Sequence, residues 1–282
     1  MLPPIADRFV AGESADDVVS HVRALDEAGT GAIVNHLGEH YDDPADARAD
    51  TEEYLRLLER LPATDPPATI SVKPSQLGLG VDEATFRDNL DRIVEAAAEV
   101  GVFVWLDMED HTTTDATLRA YEAIAEAHRD GVGVCLQANL RRTPDDVARL
   151  ADTSGRIRLV KGAYDEPAEL AHRDGAAVDA AYRDLLRRLF AETTVGIAVA
   201  THDDGMIDCA LELGAEYDRD CEFQMLMGVR ERRQRELAAT GTVYQYVPYG
   251  SAWVSYFYRR VRERRENLRF AFRAIVDSVA GR

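Results

Sequence analysis

The sequence predicts an α/β fold, a (βα)8 barrel of the TIM type, on three observations. Eight short apolar runs recur along the chain, separated by segments rich in Ala, Leu, Glu and Arg, many with helical periodicity. No composition break or long linker divides the 282 residues, a length that single α/β barrels reach. A doubly wound sheet shares the alternation but often carries a glycine-rich first turn, and neither GxGxxG nor GxxxxGK followed by Ser or Thr occurs.

The elements follow in order. Residues 1–29 form an N-terminal helical segment ahead of the first apolar run, Ala32 to Leu37. The next runs are Ala68 to Lys73, Val102 to Asp107, Gly133 to Gln137 and Ile157 to Lys161. Val195 to Thr201, Glu222 to Leu226 and Val243 to Val247 complete the eight. Pro66-Pro67, Gly101, Gly131 and Gly155 punctuate the approaches to strands. Val81-Asp82-Glu83 opens an amphipathic helix with Phe86, Leu90, Ile93, Val94 and Ala97 on one face. Thr143-Pro144-Asp145-Asp146 places an expected N-cap, a first-turn proline and two acids at a positive helix end. A last helix spans 252–280, and the whole of 1–282 is expected to be one barrel domain.

Composition narrows the function. Apolar residues make up 46% of the chain and charged residues 30%, a globular balance. The net charge of −18 is spread along the chain and argues against a nucleic-acid partner. Scattered acidity with scarce lysine reads as a hydrated, halophilic type of surface. The 3 cysteines show no CxxC spacing, which fits a reducing cytoplasm. No basic leader and no long apolar run is present, so the expectation is a soluble protein, peripheral on the cytoplasmic membrane face at most.

Of the 33 basic residues only Lys73 and Lys161 are lysines, and each ends an apolar run. An ammonium is a compact point charge that arginine cannot replace. Barrel chemistry sits at the C-terminal strand ends, where this chain places Glu39, Lys73, Asp107, Gln137, Lys161, Thr201-His202, Gln224 and Tyr246. Any one of these could be a satisfied core polar group, but a whole set in register points to a site.

Three other motifs point elsewhere. His36-Leu37-Gly38-Glu39-His40 matches the inverted zinc-protease pattern HxxEH, but that chemistry needs a helix and this segment ends a strand, so no metal is expected. His111 to Asp115 reads as a loop entering a helix N-cap. Arg230 to Arg235 reads as a solvated helix face with Glu231 and Arg235 at i,i+4. In the last helix, Tyr256, Arg259, Arg260 and Glu263 recur at i, i+3, i+4 and i+7, and paired guanidiniums make a fork for a carboxylate.

These segments together resemble the proline dehydrogenase family of flavoenzymes. The resemblance rests on Leu37-Gly38-Glu39, Ser71-Val72-Lys73-Pro74-Ser75, Trp105-Leu106-Asp107-Met108-Glu109 and Leu136-Gln137-Ala138. It continues through Arg158-Leu159-Val160-Lys161-Gly162-Ala163-Tyr164, Ala200-Thr201-His202, Glu222-Phe223-Gln224, Tyr246-Val247-Pro248 and the helix with Arg259-Arg260 and Glu263. It implies a distorted (βα)8 barrel with FAD at the C-terminal strand ends and oxidation of L-proline to Δ1-pyrroline-5-carboxylate by hydride transfer. Asp107 and Arg158 are then the catalytic candidates, with Arg158 against the flavin near N5. Lys73, Arg259 and Arg260 grip the substrate carboxylate, and Leu159, Tyr246 and Tyr256 complete the substrate set. Met108, Gln137, Arg158, Lys161, Gly162, Ala163, Thr201, His202, Gln224 and Glu263 are the expected cofactor contacts.

The resemblance also implies electron transfer to a quinone or another acceptor. The chain is expected to lack an aldehyde dehydrogenase module, so that a separate pyrroline-5-carboxylate or glutamate-semialdehyde dehydrogenase acts downstream. No residue reads the adenine unambiguously, which leaves FMN open beside FAD. Two other classes fit parts of the sequence: a Schiff-base aldolase barrel using Lys161, and a non-catalytic flavin-binding module. The aldolase leaves the paired arginines, Arg158 and Tyr246 unexplained, and the binding module has no need of the arginine fork or Lys73.

Overall fold

A computed structural model describes residues 7–38 and 40–254. Helices and strands alternate as α1 (Ala15–Glu27), β1 (Gly31–His36), α2 (Pro44–Leu58), β2 (Thr69–Val72), α3 (Glu83–Val100), β3 (Phe103–Leu106), α4 (Thr114–Ala127) and β4 (Val132–Gln137). They continue with α5 (Thr143–Arg149), β5 (Arg156–Val160), α6 (Gly175–Glu192), β6 (Gly196–Ala200), α7 (Asp204–Tyr217), β7 (Glu222–Leu226), α8 (Glu231–Ala238) and β8 (Val243–Tyr249). The strands pair in sequence order, all parallel, and β8 returns to β1 over Gly31↔Tyr244 to His36↔Tyr249, closing the barrel. Each strand matches its apolar run to within two residues. The (βα)8 expectation is thereby met.

Alternation along the strands divides their side chains between two compartments. Val34, Ile70, Val72, Leu106, Ile157 and Leu159 face outward and pack with Phe86, Leu90 and Ile93 of α3 and Leu185, Leu186 and Leu189 of α6 in one core. Ile33, Trp105, Ala198 and Tyr244, with Phe103 and Tyr246 against them, fill the interior. Bulky interior side chains are accommodated by small neighbours. A Cβ at Gly133 would lie 2.5 Å from the Trp105 ring, and one at Gly31 would lie 2.4 Å from the Tyr244 ring.

Helix starts show where local chemistry wins. Asp82 caps α3, its carboxylate accepting from Thr85 N at 2.6 Å, and Phe86, Leu90, Ile93, Val94 and Ala97 are all buried as the periodicity requires. At α5 the expected cap is displaced by one residue. Arg142 holds the N-cap position and Thr143 is the first helical residue, its hydroxyl donating to Gln137 O at 2.5 Å. A tertiary acceptor at the end of β4 has drawn the threonine away from capping. His36 ends β1, and His40 follows in a loop at φ 60, so the two histidines of HxxEH share no helical face.

The wall is thinnest between β1 and β2, where the ladder holds only Ile33↔Thr69 and Val34↔Ile70. Side chains complete it. The Tyr54 hydroxyl of α2 accepts from His36 N at 3.1 Å and donates to Ser71 O at 2.8 Å, while Asn35 Nδ2 donates to the same carbonyl at 2.9 Å. The expected helix beyond residue 254, with Tyr256, Arg259, Arg260 and Glu263, lies outside the described residues, as does Glu39.

Candidate active site

Residues two apart on a strand point the same way, and at the C-terminal ends of the strands this brings a polar cluster into the barrel interior. Asp107 follows β3 and is its centre. Its Oδ1 accepts from Ser71 Oγ at 2.7 Å and from Arg158 Nη1 at 2.6 Å. Its Oδ2 accepts from the Tyr246 hydroxyl at 2.9 Å and lies 3.5 Å from Lys73 Nζ. Thus β2, β5 and β8 all send a partner to one carboxylate at the end of β3. Burial would push the Asp107 pKa up, but the charges of Lys73 and Arg158 and the bonds from Ser71 and Tyr246 outweigh it and hold the carboxyl below its ordinary value. Tyr246 is raised well above its own, by burial first and by Asp107 second, and so stays a protonated donor.

Two cations meet this one carboxylate, so these three groups together carry an excess positive charge. Arg158 is only 3% exposed, its guanidinium carbon 4.6 Å from the Trp105 ring centre and 5.8 Å from that of Tyr246. Lys73 is steered from the other side by Asn35 Oδ1 at 3.3 Å. Leu159 does not join them. One residue beyond Arg158, it faces the opposite side of the strand and is fully buried among helix side chains. The expected packing of Leu159 on a substrate ring is therefore unsupported by its position.

A second group lies along β4 to β7. Lys161 Nζ bonds Asp179 at 2.6 Å and Asp203 at 2.8 Å. Burial would lower its pKa, but the two carboxylates prevail and raise it. A Schiff-base lysine needs a lowered pKa, so the aldolase reading loses its nucleophile. Gly162 and Ala163 are exposed beside Lys161, and Gly162 sits at φ +111 with its Cα against the Asn139 side chain, where a Cβ would meet Oδ1 at 2.1 Å. Thr201 Oγ1 accepts from Asp203 N at 3.1 Å, and His202 Nε2 accepts from Leu226 N at 3.2 Å. Arg230 is exposed, as expected of a solvated face, and at the same time donates to the His202 carbonyl and to Asp204 at 2.6 Å, tying α8 to the β6 end. Arg235 reaches the Glu231 carbonyl, not its carboxylate, at 3.3 Å.

Gln137, Gln224 and Met108 are buried. Gln137 Nε2 donates to Glu109 O at 2.8 Å, and Gln224 Nε2 donates to Glu222 Oε1 at 2.6 Å. Gln224 Oε1, Arg158 Nε and Asn139 Oδ1 are buried with no hydrogen-bond partner among the described residues. Orphaned polar atoms of this kind, unusual in a native interior, fit a site that a polar ring and its attached chain would complete.

Several contributors carried no assigned role in the sequence reading: Asn35, Ser71, Trp105, Asn139 and the pair His111–Glu166. Asn35, Ser71 and Trp105 lie two residues before a strand-end position, so period two along each strand was the available signal. His111 and Glu166 lie in different loops, and nothing in their spacing couples them.

The proline dehydrogenase family profile matches residues 18–273, nearly the whole chain. The chain belongs to the proline dehydrogenase family. Among curated relatives, proline dehydrogenase of Deinococcus radiodurans is 39% identical, with 96% of this chain and 90% of that protein aligned. Proline dehydrogenase 1 of Bacillus subtilis is 34% identical over the same shares. Among solved structures, proline utilization A of Bdellovibrio bacteriovorus, inactivated by N-propargylglycine, superposes with a TM-score of 0.82 at 22% identity. This chain covers 32% of that much longer protein, with 91% of its own length aligned, and the likeness shows a shared barrel. Among the described residues, no helix is long and apolar enough to cross a membrane.

Proposed function

We propose that this chain oxidises L-proline to Δ1-pyrroline-5-carboxylate as the first step of proline catabolism, with FAD as cofactor and a quinone as the class of electron acceptor. The observation that carries the reading is the Lys73–Asp107–Arg158–Tyr246 cluster at the strand ends of a barrel belonging to this family. Bound FAD supplies a two-electron acceptor for the hydride that leaves the proline ring. Gly162, Ala163, Lys161, Thr201 and His202 would hold the cofactor's phosphate chain, and Gln137, Gln224, Met108 and Arg158 its ring, with Glu263 added from beyond the described residues. The exposed Gly162–Ala163 backbone and the unpartnered Gln224 and Arg158 atoms support this placement.

The remaining steps belong to the chain's own side chains. The excess positive charge of the cluster draws in the substrate carboxylate, which Lys73 fixes together with the arginine fork of Arg259 and Arg260. Asp107, ionised and saturated with donors, orients Lys73 and Arg158 and is a poor proton acceptor near neutrality. Tyr246, held by Asp107, presents its ring as a wall, and Tyr256 is assigned to the same substrate set. The substrate ammonium must then lose its proton to solvent before a hydride can leave, so turnover rises from neutral to alkaline pH; a flat profile would contradict this.

In this reading the reaction takes place in the cytoplasm or at its membrane face, and the product passes on to a pyrroline-5-carboxylate or glutamate-semialdehyde dehydrogenase activity. Purified protein should be yellow, and anaerobic L-proline should bleach it. Yellow protein indifferent to proline would instead indicate a binding module. Mass spectrometry of the released flavin distinguishes FAD from FMN.

A further inference from the structure

Strands β3 and β5 are not neighbours, because β4 lies between them, so no backbone ladder sets the distance between the loops that leave them. Those loops carry different halves of the proposed site. The β3–α4 loop begins with Asp107 and Met108, and the β5–α6 loop begins with Lys161, Gly162 and Ala163. Below the mouth, one bond joins the two strands through the barrel interior, Arg158 to Asp107 at 2.6 Å. At the mouth a second connection arches over β4. The Glu166 carboxylate accepts from His111 N at 2.9 Å and meets His111 Nδ1 at 2.5 Å.

The pair is built as an interior contact. The Glu166 side chain is 2% exposed and that of His111 is 33% exposed. A carboxylate so buried is costly unless it is partnered, and here both its oxygens are used by one residue of the other loop. The backbone bond and the ring bond together fix the position and the rotation of His111. The intervening β4 end is tied into the same assembly: Asn139 N donates to Lys161 O at 2.9 Å, and Gln137 Nε2 donates to Glu109 O at 2.8 Å. The three loop ends are thus coupled, with His111–Glu166 as the outermost brace.

We propose that His111 and Glu166 are a positioning pair for the reaction: they clamp the β3–α4 loop to the β5–α6 loop and thereby hold the substrate-side carboxylate and the cofactor-side lysine–glycine segment in one register. Neither residue needs to touch substrate. The inference rests on the proposed flavin function only in what the two loops hold; the clamp itself is a property of the protein alone.

The test compares His111→Ala, His111→Asn and Glu166→Gln in the full chain. Asparagine places an N–H donor where Nδ1 stands, so it should restore what alanine loses. Hydrogen exchange of the 161–174 segment in flavin-free protein reads the clamp directly, and flavin titration reads its consequence. Alanine should accelerate exchange in that segment and weaken flavin binding about tenfold, the scale of a lost hydrogen bond to a charged group, with asparagine near wild type. Glu166→Gln keeps acceptor capacity on a neutral side chain and should fall between them; if the alanine variant does not fold, this variant against asparagine supplies the same comparison. Unchanged exchange and flavin affinity in the alanine variant would overturn the proposal. Equal impairment by alanine and asparagine would overturn it too, because it would mean that ring packing rather than the donor matters. A wild-type protein that binds no flavin, or is not bleached by proline, would instead sink the functional reading while the exchange result still decides the clamp.

Discussion

The chain's two lysines do different things. Lys73 reaches Asn35 at 3.3 Å and Asp107 at 3.5 Å as a compact ammonium with its side chain 15% exposed, and the proposed function gives it the substrate carboxylate. Lys161 is held between Asp179 and Asp203 beside the open Gly162 turn. Lys73→Ala should therefore raise KM for proline with flavin retained, whereas Lys161→Ala should yield pale protein; kinetics and the flavin-to-protein absorbance ratio separate the two. Asp107 adds a pH dependence whose sign follows from its lowered pKa. Its ion-paired form stabilises the fold above the unfolded value near 3.8, and that contribution is lost as pH falls through the still lower folded value. The stability gap between wild type and Asp107→Asn should accordingly narrow on acidification below about pH 4. A gap independent of pH in urea titrations would refute the assignment of Asp107 as a stabilising carboxylate.

Elements built from apolar runs were readable because a strand buried on both faces needs them, and the eight runs map onto the eight strands. Polar strand residues were most readable where they end a run, and Arg158, inside its run, was assigned only through the family resemblance. Lys73, Asp107 and Gln137 stood out in that way, whereas Ser71 and Asn35 passed as strand interior although they orient the same cluster. Leu159 shows the converse: a residue adjacent to Arg158 in sequence lies on the other face of the strand. Thr143 shows a local capping signal overridden by a carbonyl brought near by the fold. The C-terminal end of α6 was invisible for the same reason. Arg219, between α7 and β7, donates to the carbonyls of Leu189, Phe190, Thr193 and Val195 at 2.7 to 2.8 Å, serving the last turn of α6 and the residues that follow it. Removing it should destabilise the barrel by roughly 2–3 kcal/mol, and Arg219→Lys should recover little, since one ammonium cannot span four carbonyls. Urea midpoints of the two variants would decide; full recovery by lysine would show that charge alone suffices.

At the scale of the whole molecule, a net charge of −18 must be reconciled with a surface laced by ion pairs. Arg92–Glu52, Arg119–Glu83 and Arg149–Glu122 each link neighbouring helices at 2.5 to 2.7 Å, and Arg233 reaches Asp204 and Asp208. Salt weakens these pairs, but exposed pairs contribute only about 0–1 kcal/mol each, and most retain part of that when close. The repulsion among unpaired carboxylates acts over longer distances and is screened more completely, since the Debye length falls from about 10 Å at 0.1 M to about 3 Å at 1 M. Relief of repulsion should win, and the melting temperature should climb from low to molar salt. The interior offers an internal control. Arg158 is buried and the Asp107 side chain is only 15% exposed, so their contact is screened far less than the surface pairs, and the destabilisation caused by Asp107→Asn should change little between the two salt concentrations even as both proteins gain stability. A melting temperature that stays flat or falls with salt would remove the halophilic reading of the surface. An Asp107→Asn effect that shrinks with salt would show instead that the strand-end cluster is open to bulk ions.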